Sequence, residues 1–224
     1  GAQIVAKEGV HPELFRSNEA FRSTVLKRYE QVIAEDIATG KDQDRVHAML
    51  RVLALIQPVV PDDRRVLELL AEVEGISAPD ASRLGRLLID SGVLFKRGSM
   101  YRLSPDLLAD SIIESSCITS RGESNGYAER IFEAAIPEHK ENVLLNLGRL
   151  DWRRNEGDTS SSHLLDTIWS RLKWEDDYRN AQVKAAAAAA YYQPRQALQL
   201  ARRLIDEGHG TEEDVCRIIR GATY

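Results

Sequence analysis

Cysteine is nearly absent from this chain: Cys117 and Cys216 are the only two in 224 residues, far apart and without a His or Cys neighbour at ligand spacing. That pattern speaks against a disulfide-built scaffold and against a zinc site, and it suits a reducing cytoplasm. No apolar run approaches the roughly 20 residues that a membrane span needs. The tract at residues 185–190 is short and only weakly hydrophobic, so no membrane contact is expected. A secretory segment with a basic start and an apolar centre is also missing. Gly1 and Ala2 read as a cloning remnant, and the chain as an excised part of a longer protein.

Catalytic signatures are missing too. Gly40-Lys41 is the only Gly-Lys pair, but position 35 is Glu and position 42 is Asp, so the phosphate-cradling loop GxxxxGK[ST] does not form. The chain by itself is expected to hydrolyse no ATP and to be no enzyme. Residues 160–166, SSSHLLD, place Ser, His and Asp close together. Triads are assembled in space, no GxSxG elbow occurs, and Ser162 reads as a helix cap. His11, His47, His139, His163 and His209 are scattered, with none paired at the i+3 or i+4 spacing of a zinc helix. No metal or cofactor is expected within the chain.

A formal net charge of -5 argues against a protein that coats nucleic acid without sequence preference. Hydrophobic residues make up 43% and charged residues 29%, the balance of an ordinary globular protein. The length allows one large domain or two small ones, and the spacing of apolar residues favours two.

What is present is mostly helical period. Residues 11–36 repeat apolar positions at threes and fours, with a stop at Gly40, and residues 41–44 read as a polar connection. A helix over 45–56 follows, closed by the prolines at 58 and 61. The next opens at Pro61, Asp62 and Asp63 and stops at Gly75. Ser77 is an N-cap for a third helix with Ala81, Leu84 and Leu88 inward and Gly92 as its left-handed stop. Strands at 93–97 and 100–103 flank Gly98-Ser99, a pair suited to a two-residue hairpin loop. Val93, Phe95, Tyr101 and Leu103 are their expected packing residues. Ser104 then reads as a cap, with Pro105 and Asp106 opening a further helix through Leu107 and Leu108.

Helix, helix, helix, hairpin, helix is the order of a winged helix. Leu84, Leu88, Val93, Tyr101, Leu103 and Leu107 are its expected core. Beyond residues 121–125, RGESN, only helices are expected, over 127–135, 137–150, 162–173, 175–192, 194–207 and 211–220, with 153–161 as the long connection. The predicted fold class is mainly α: an N-terminal helical segment (1–43), a winged-helix domain (44–120), and an α-helical repeat or bundle (126–224). Small Ala residues at 185–190 and around Pro194 suit close helix crossings.

The winged-helix stretch is locally basic. Between residues 77 and 103, Arg83, Arg86, Lys96, Arg97 and Arg102 stand against Asp80 and Asp90. Arg83 and Arg86 share one helix face, and Lys96-Arg97 lies at the wing, where a DNA reader contacts phosphate. Asp80 opposes that reading, no side chain is placed to read bases, and exposed arginines commonly serve solubility.

With these residues in hand, the chain resembles the region that follows the ATPase core in STAND-type NTPases, relatives of AAA+ proteins. The likeness covers residues 14–115. The tract MYRLSPDLLADSI is similar to that family's wing strand running into its Met-His-Asp-Leu-Leu segment, with Asp106, Leu107 and Leu108 at its last three positions. Ser104 and Pro105 stand where the Met and the nucleotide-sensing His would be. The resemblance implies a hinge at Ser104, Pro105 and Asp106, an upstream NTPase domain in cis that holds ATP, and a protein partner or signal bound by the helical repeats. The other reading is a transcription regulator, its winged helix on DNA and its helical half binding an effector or dimerising.

Overall fold

The computed structural model describes residues 41–172, 179–208 and 210–223, so the expected helix over 11–36 lies outside them. The described residues form ten helices and one two-stranded antiparallel sheet. In chain order these are α1 (Lys41–Ile56), α2 (Arg64–Glu74), α3 (Ala78–Asp90), β1 (Leu94–Arg97), β2 (Met100–Leu103), α4 (Asp106–Cys117), α5 (Tyr127–Ala134), α6 (Pro137–Arg154), α7 (Asp166–Ser170), α8 (Arg179–Ala189), α9 (Pro194–Asp206) and α10 (Glu212–Ala222).

The helix α1 is the central post. Val46, Met49, Leu50 and every residue from Val52 to Ile56 are shut off from solvent. A helix apolar on all sides needs neighbours on all sides, and α2, α4 and α6 pack around it. Residues 41–44, expected as a connection, are its first turn, where Asp42 and Asp44 meet the positive end of the helix dipole.

Around α1 the local signals act much as their chemistry requires. Asp63 caps α2 by accepting from the Arg65 amide, and Gly75 ends it in the left-handed region at φ 66°. Ser77 caps α3 by accepting from the Asp80 amide. The hairpin pairs Leu94 with Leu103 and Arg97 with Met100 around Gly98-Ser99, as its loop residues predict. Leu94 and Leu103 face inward. The same pleat turns Phe95 outward, to 64% exposure, against its expected packing role.

One contact beside the hairpin was not legible. Val59 and Tyr101 exchange both backbone hydrogen bonds, at 3.1 and 2.8 Å, so the segment after α1 runs antiparallel beside β2. Two prolines around Val59 mask this in the sequence. Proline is tolerated here because Val59 itself carries the pairing and the segment is an edge.

Leaving the hairpin, the chain corrects two expectations. The Ser104 amide still belongs to the sheet end, donating to the Val93 carbonyl at 2.9 Å. The cap position therefore falls on Pro105, without a side-chain cap bond, and Asp106 is the first helical residue. Leu107 accordingly points to solvent at 46% exposure, while Leu108, Ala109, Ile112 and Ile113 form the buried face. Of the other expected core residues, Leu84, Leu88, Val93 and Leu103 are buried and Tyr101 is half-buried.

Residues 121–125 form a hydrogen-bonded turn, with the Asn125 amide on the Cys117 carbonyl and its side-chain amide on the Ser116 carbonyl. Beyond it, α6 runs to Arg154, longer than expected, and α7 is only Asp166–Ser170. Ser162 does not cap α7; its hydroxyl donates to Asp151 at 2.7 Å. The alanines of α8 let it nest between α6 and α10, and Ala185, Ala186, Ala189 and Ala190 are buried. Gly221 of α10 lies so close to the Ala187 carbonyl that a Cβ there would collide. Thr211 and Asp214 close a reciprocal capping box at the start of α10.

Candidate functional site

The basic residues singled out in the sequence divide into two groups. Arg83 on α3 pairs with Asp42 at 2.8 Å and Asp80 at 3.7 Å, while Arg45 reaches the same two carboxylates at 3.3 and 3.5 Å. Two acids and two bases thus tie the first turn of α1 to the first turn of α3. The Ser77 hydroxyl, with Arg45 and Arg83 adding less, holds the Asp80 carboxyl below its ordinary range against some desolvation. Arg86 lies 3.9 Å from Asp62. Exposed pairs of this kind contribute little stability, yet they offset the positive charge that α3 would offer to phosphate.

Lys96, Arg97 and Arg102 form the other group. None has a carboxylate within 4 Å among the described residues; Lys96 instead sits 6.0 Å from the centre of the Tyr101 ring. Strand alternation puts Phe95, Arg97, Met100 and Arg102 on one face of the hairpin, with Phe95 and Met100 exposed. Ser104, Pro105 and Asp106 lie between that hairpin and α4, at the surface or nearly so.

A buried polar joint lies elsewhere, where α6 meets the end of α1. Helix C-termini leave carbonyls without intrahelical donors. Here Asn146, 2% exposed, gives its two amide hydrogens to the Leu55 and Gln57 carbonyls at 2.9 and 2.8 Å. One turn earlier Asn142 donates to the Ile56 carbonyl at 2.8 Å. The Gln57 side chain in turn accepts from the Leu103 amide at 2.9 Å, which carries the connection into β2. Sequence reasoning passed over these asparagines. Their signal was a pair four residues apart, in ENVLLNLG, set beside the buried stripe Val143, Leu144 and Leu147.

A second buried acid organises the far side of α6. Asp151, 2% exposed, accepts from Asn155, Ser162 and Gln193. This fixes the loop after α6 and the start of α9 to one carboxylate. It also engages the Ser162 hydroxyl, so that Ser162 does not meet His163; the His163 ring pairs with Asp166 at 2.6 Å. A third joint joins α2 to α5. The Tyr127 hydroxyl donates to Glu74 at 2.5 Å, Arg51 reaches the other Glu74 oxygen at 3.2 Å, and burial followed by the Glu74 contact raises the phenol's pKa.

Among the described residues no helix is long and apolar enough to cross a membrane, and no three His, Cys, Asp or Glu side chains group as a metal site. No family model, no curated protein and no solved structure matches this chain. The class defined by fold and site is therefore a mainly helical protein with a small antiparallel hairpin and a polar joint between its hairpin-bearing half and its all-helical half.

Proposed function

We propose that the chain is a non-catalytic regulatory module of a STAND-type NTPase, in which a winged helix passes domain motion to a helical partner-binding unit. The winged-helix assignment is supported by the segment at Val59. With it, residues 41–117 run helix, single-residue bridge to β2, helix, helix, strand, strand, helix, an order compatible with a winged helix. ATP would be held by an upstream domain, and this module would move with it.

The observation that carries the relay is the Asn142–Asn146 joint. The carbonyls at the end of α1 are held by α6, so a rotation imposed on α1 carries α6 along as a rigid lever. The natural gene tests the idea directly. A GxxxxGK[ST] loop is expected within about 300 residues upstream, roughly two domains' worth, and its absence sinks the proposal.

One observation favours a second reading, a transcription regulator on DNA: Lys96, Arg97 and Arg102 at the hairpin lack carboxylate partners among the described residues, whereas Arg83 and Arg86 have them. A gel shift at low salt discriminates. DNA binding that disappears when the three hairpin cations are neutralised supports this reading, and no shift at low salt removes it.

A further inference from the structure

Between α7 and α9 lies a groove of about 260 Å³, lined among others by Asp166, Trp169, Ser170, Arg195, Gln199 and Arg203. The last three recur at i, i+4 and i+8 and so form one stripe along α9. At about 1.5 Å of rise per residue, roughly 12 Å of helix axis separates Arg195 from Arg203.

Two features give this groove a preference. Neither Arg195 nor Arg203 has a carboxylate within 4 Å among the described residues. Arg195 donates to the Ser160 carbonyl and Arg203 to the Trp169 carbonyl at 3.4 Å, contacts that engage only part of the donor fork a guanidinium carries. The acid in the groove is already engaged, since Asp166 receives Gln196 on one oxygen and His163 on the other. Trp169, 4% exposed, lines the groove as an apolar wall. The groove is thus lined by two arginines with donors to spare, beside a carboxylate already bonded on both oxygens.

In a strand, residues i and i+4 face the same side and lie about 13 Å apart at roughly 3.3 Å per residue, close to the spacing of the two arginines. We infer that the groove binds an extended acidic peptide segment of a partner protein, two of whose carboxylates, four residues apart, meet Arg195 and Arg203 while Gln199 hydrogen-bonds the backbone between them. This rests on the partner-binding role proposed for the helical half and is independent of the lever.

The test uses the whole chain and a fluorescein-labelled Gly-Ser peptide carrying two glutamates four residues apart, read by anisotropy at low salt. Saturable binding is expected, at least about tenfold weaker for the peptide with both glutamates changed to glutamine and for the R195Q/R203Q variant. Arg202→Gln should bind like the parent chain, because Arg202 pairs with Asp206 outside the groove. If the double variant melts early, Gln199→Glu at an exposed position supplies the same test by adding a like charge, with the same loss expected. No binding, equal binding of both peptides, undiminished binding by the groove variants, or displacement by a few millimolar phosphate, on the order of a weak ionic contact, would each overturn the inference. Such a result leaves the lever standing, since that is decided by the upstream sequence, whereas peptide binding without an upstream phosphate loop sinks the lever alone.

Discussion

Replacing Asn146 probes the joint between the two halves most directly. Asn146→Ala removes both hydrogens that satisfy the Leu55 and Gln57 carbonyls. Each buried acceptor left unpaired costs about 1–3 kcal/mol, so the two together cost about 2–6 kcal/mol. The lower end applies if a water enters the space that Ala leaves. Asn146→Leu separates hydrogen bonding from packing, because Leu fills the volume, keeps water out and supplies no donor. The leucine variant is therefore expected to be at least as unstable as the alanine variant, the reverse of what packing alone would give. Thermal unfolding followed by circular dichroism should show a drop of roughly 4–24 °C, at about 2–4 °C per kcal/mol for a chain of this size. A leucine variant that melts at or above the parent temperature would refute the assignment of these asparagines as the joint.

Three other outcomes follow from burial. Burial, which outweighs the opposing charges of Asp63 and Glu138, holds the His139 imidazole below its ordinary value. As pH falls from about 6.5, the unfolded chain takes up a proton before the folded chain does. Stability should therefore decline on acidification, and His139→Phe should flatten the decline in urea titrations between pH 7 and about pH 5, the window just below the ordinary value. Burial pushes the Cys117 thiol up to about 12, so at about pH 8, below the ordinary thiol pKa, a thiol reagent should leave Cys117 unlabelled in the folded chain and label it once urea unfolds the protein. Leu84→Asp places an unpaired carboxylate at a fully buried site of α3, a cost of several kcal/mol against a total of about 5–15; a mutant with unchanged melting temperature would contradict the core assignment.

Helix positions were legible wherever a cap or a stop stood beside an apolar stripe. Asp63, Gly75 and Ser77 act through backbone geometry and bonds to amides within three residues, so their effect survives any tertiary context. The hairpin loop at Gly98-Ser99 belongs to the same class, because positive φ is a local demand. Less was legible where two local signals competed. Ser104 looks like a cap and lies at the end of a strand; the sheet took its amide, and Leu107 turned outward in consequence.

The candidate site was the least legible part. Arginine spacing in the sequence identified a basic face, but the acids that offset Arg83 come from α1 and from its own first turn, the former 41 residues away. Asn146 meets carbonyls 89 and 91 residues earlier in the chain, and Arg195 and Trp169 share a groove only because α9 folds back over α7. The sequence by itself determined the mainly helical class, the hairpin and most helix ends, since these depend on side-chain period and on hydrogen bonds spanning a few residues. Only the tertiary structure decided which charges are offset, which carbonyls find donors and which arginines share a groove, because each depends on the distance between residues that the chain does not place side by side.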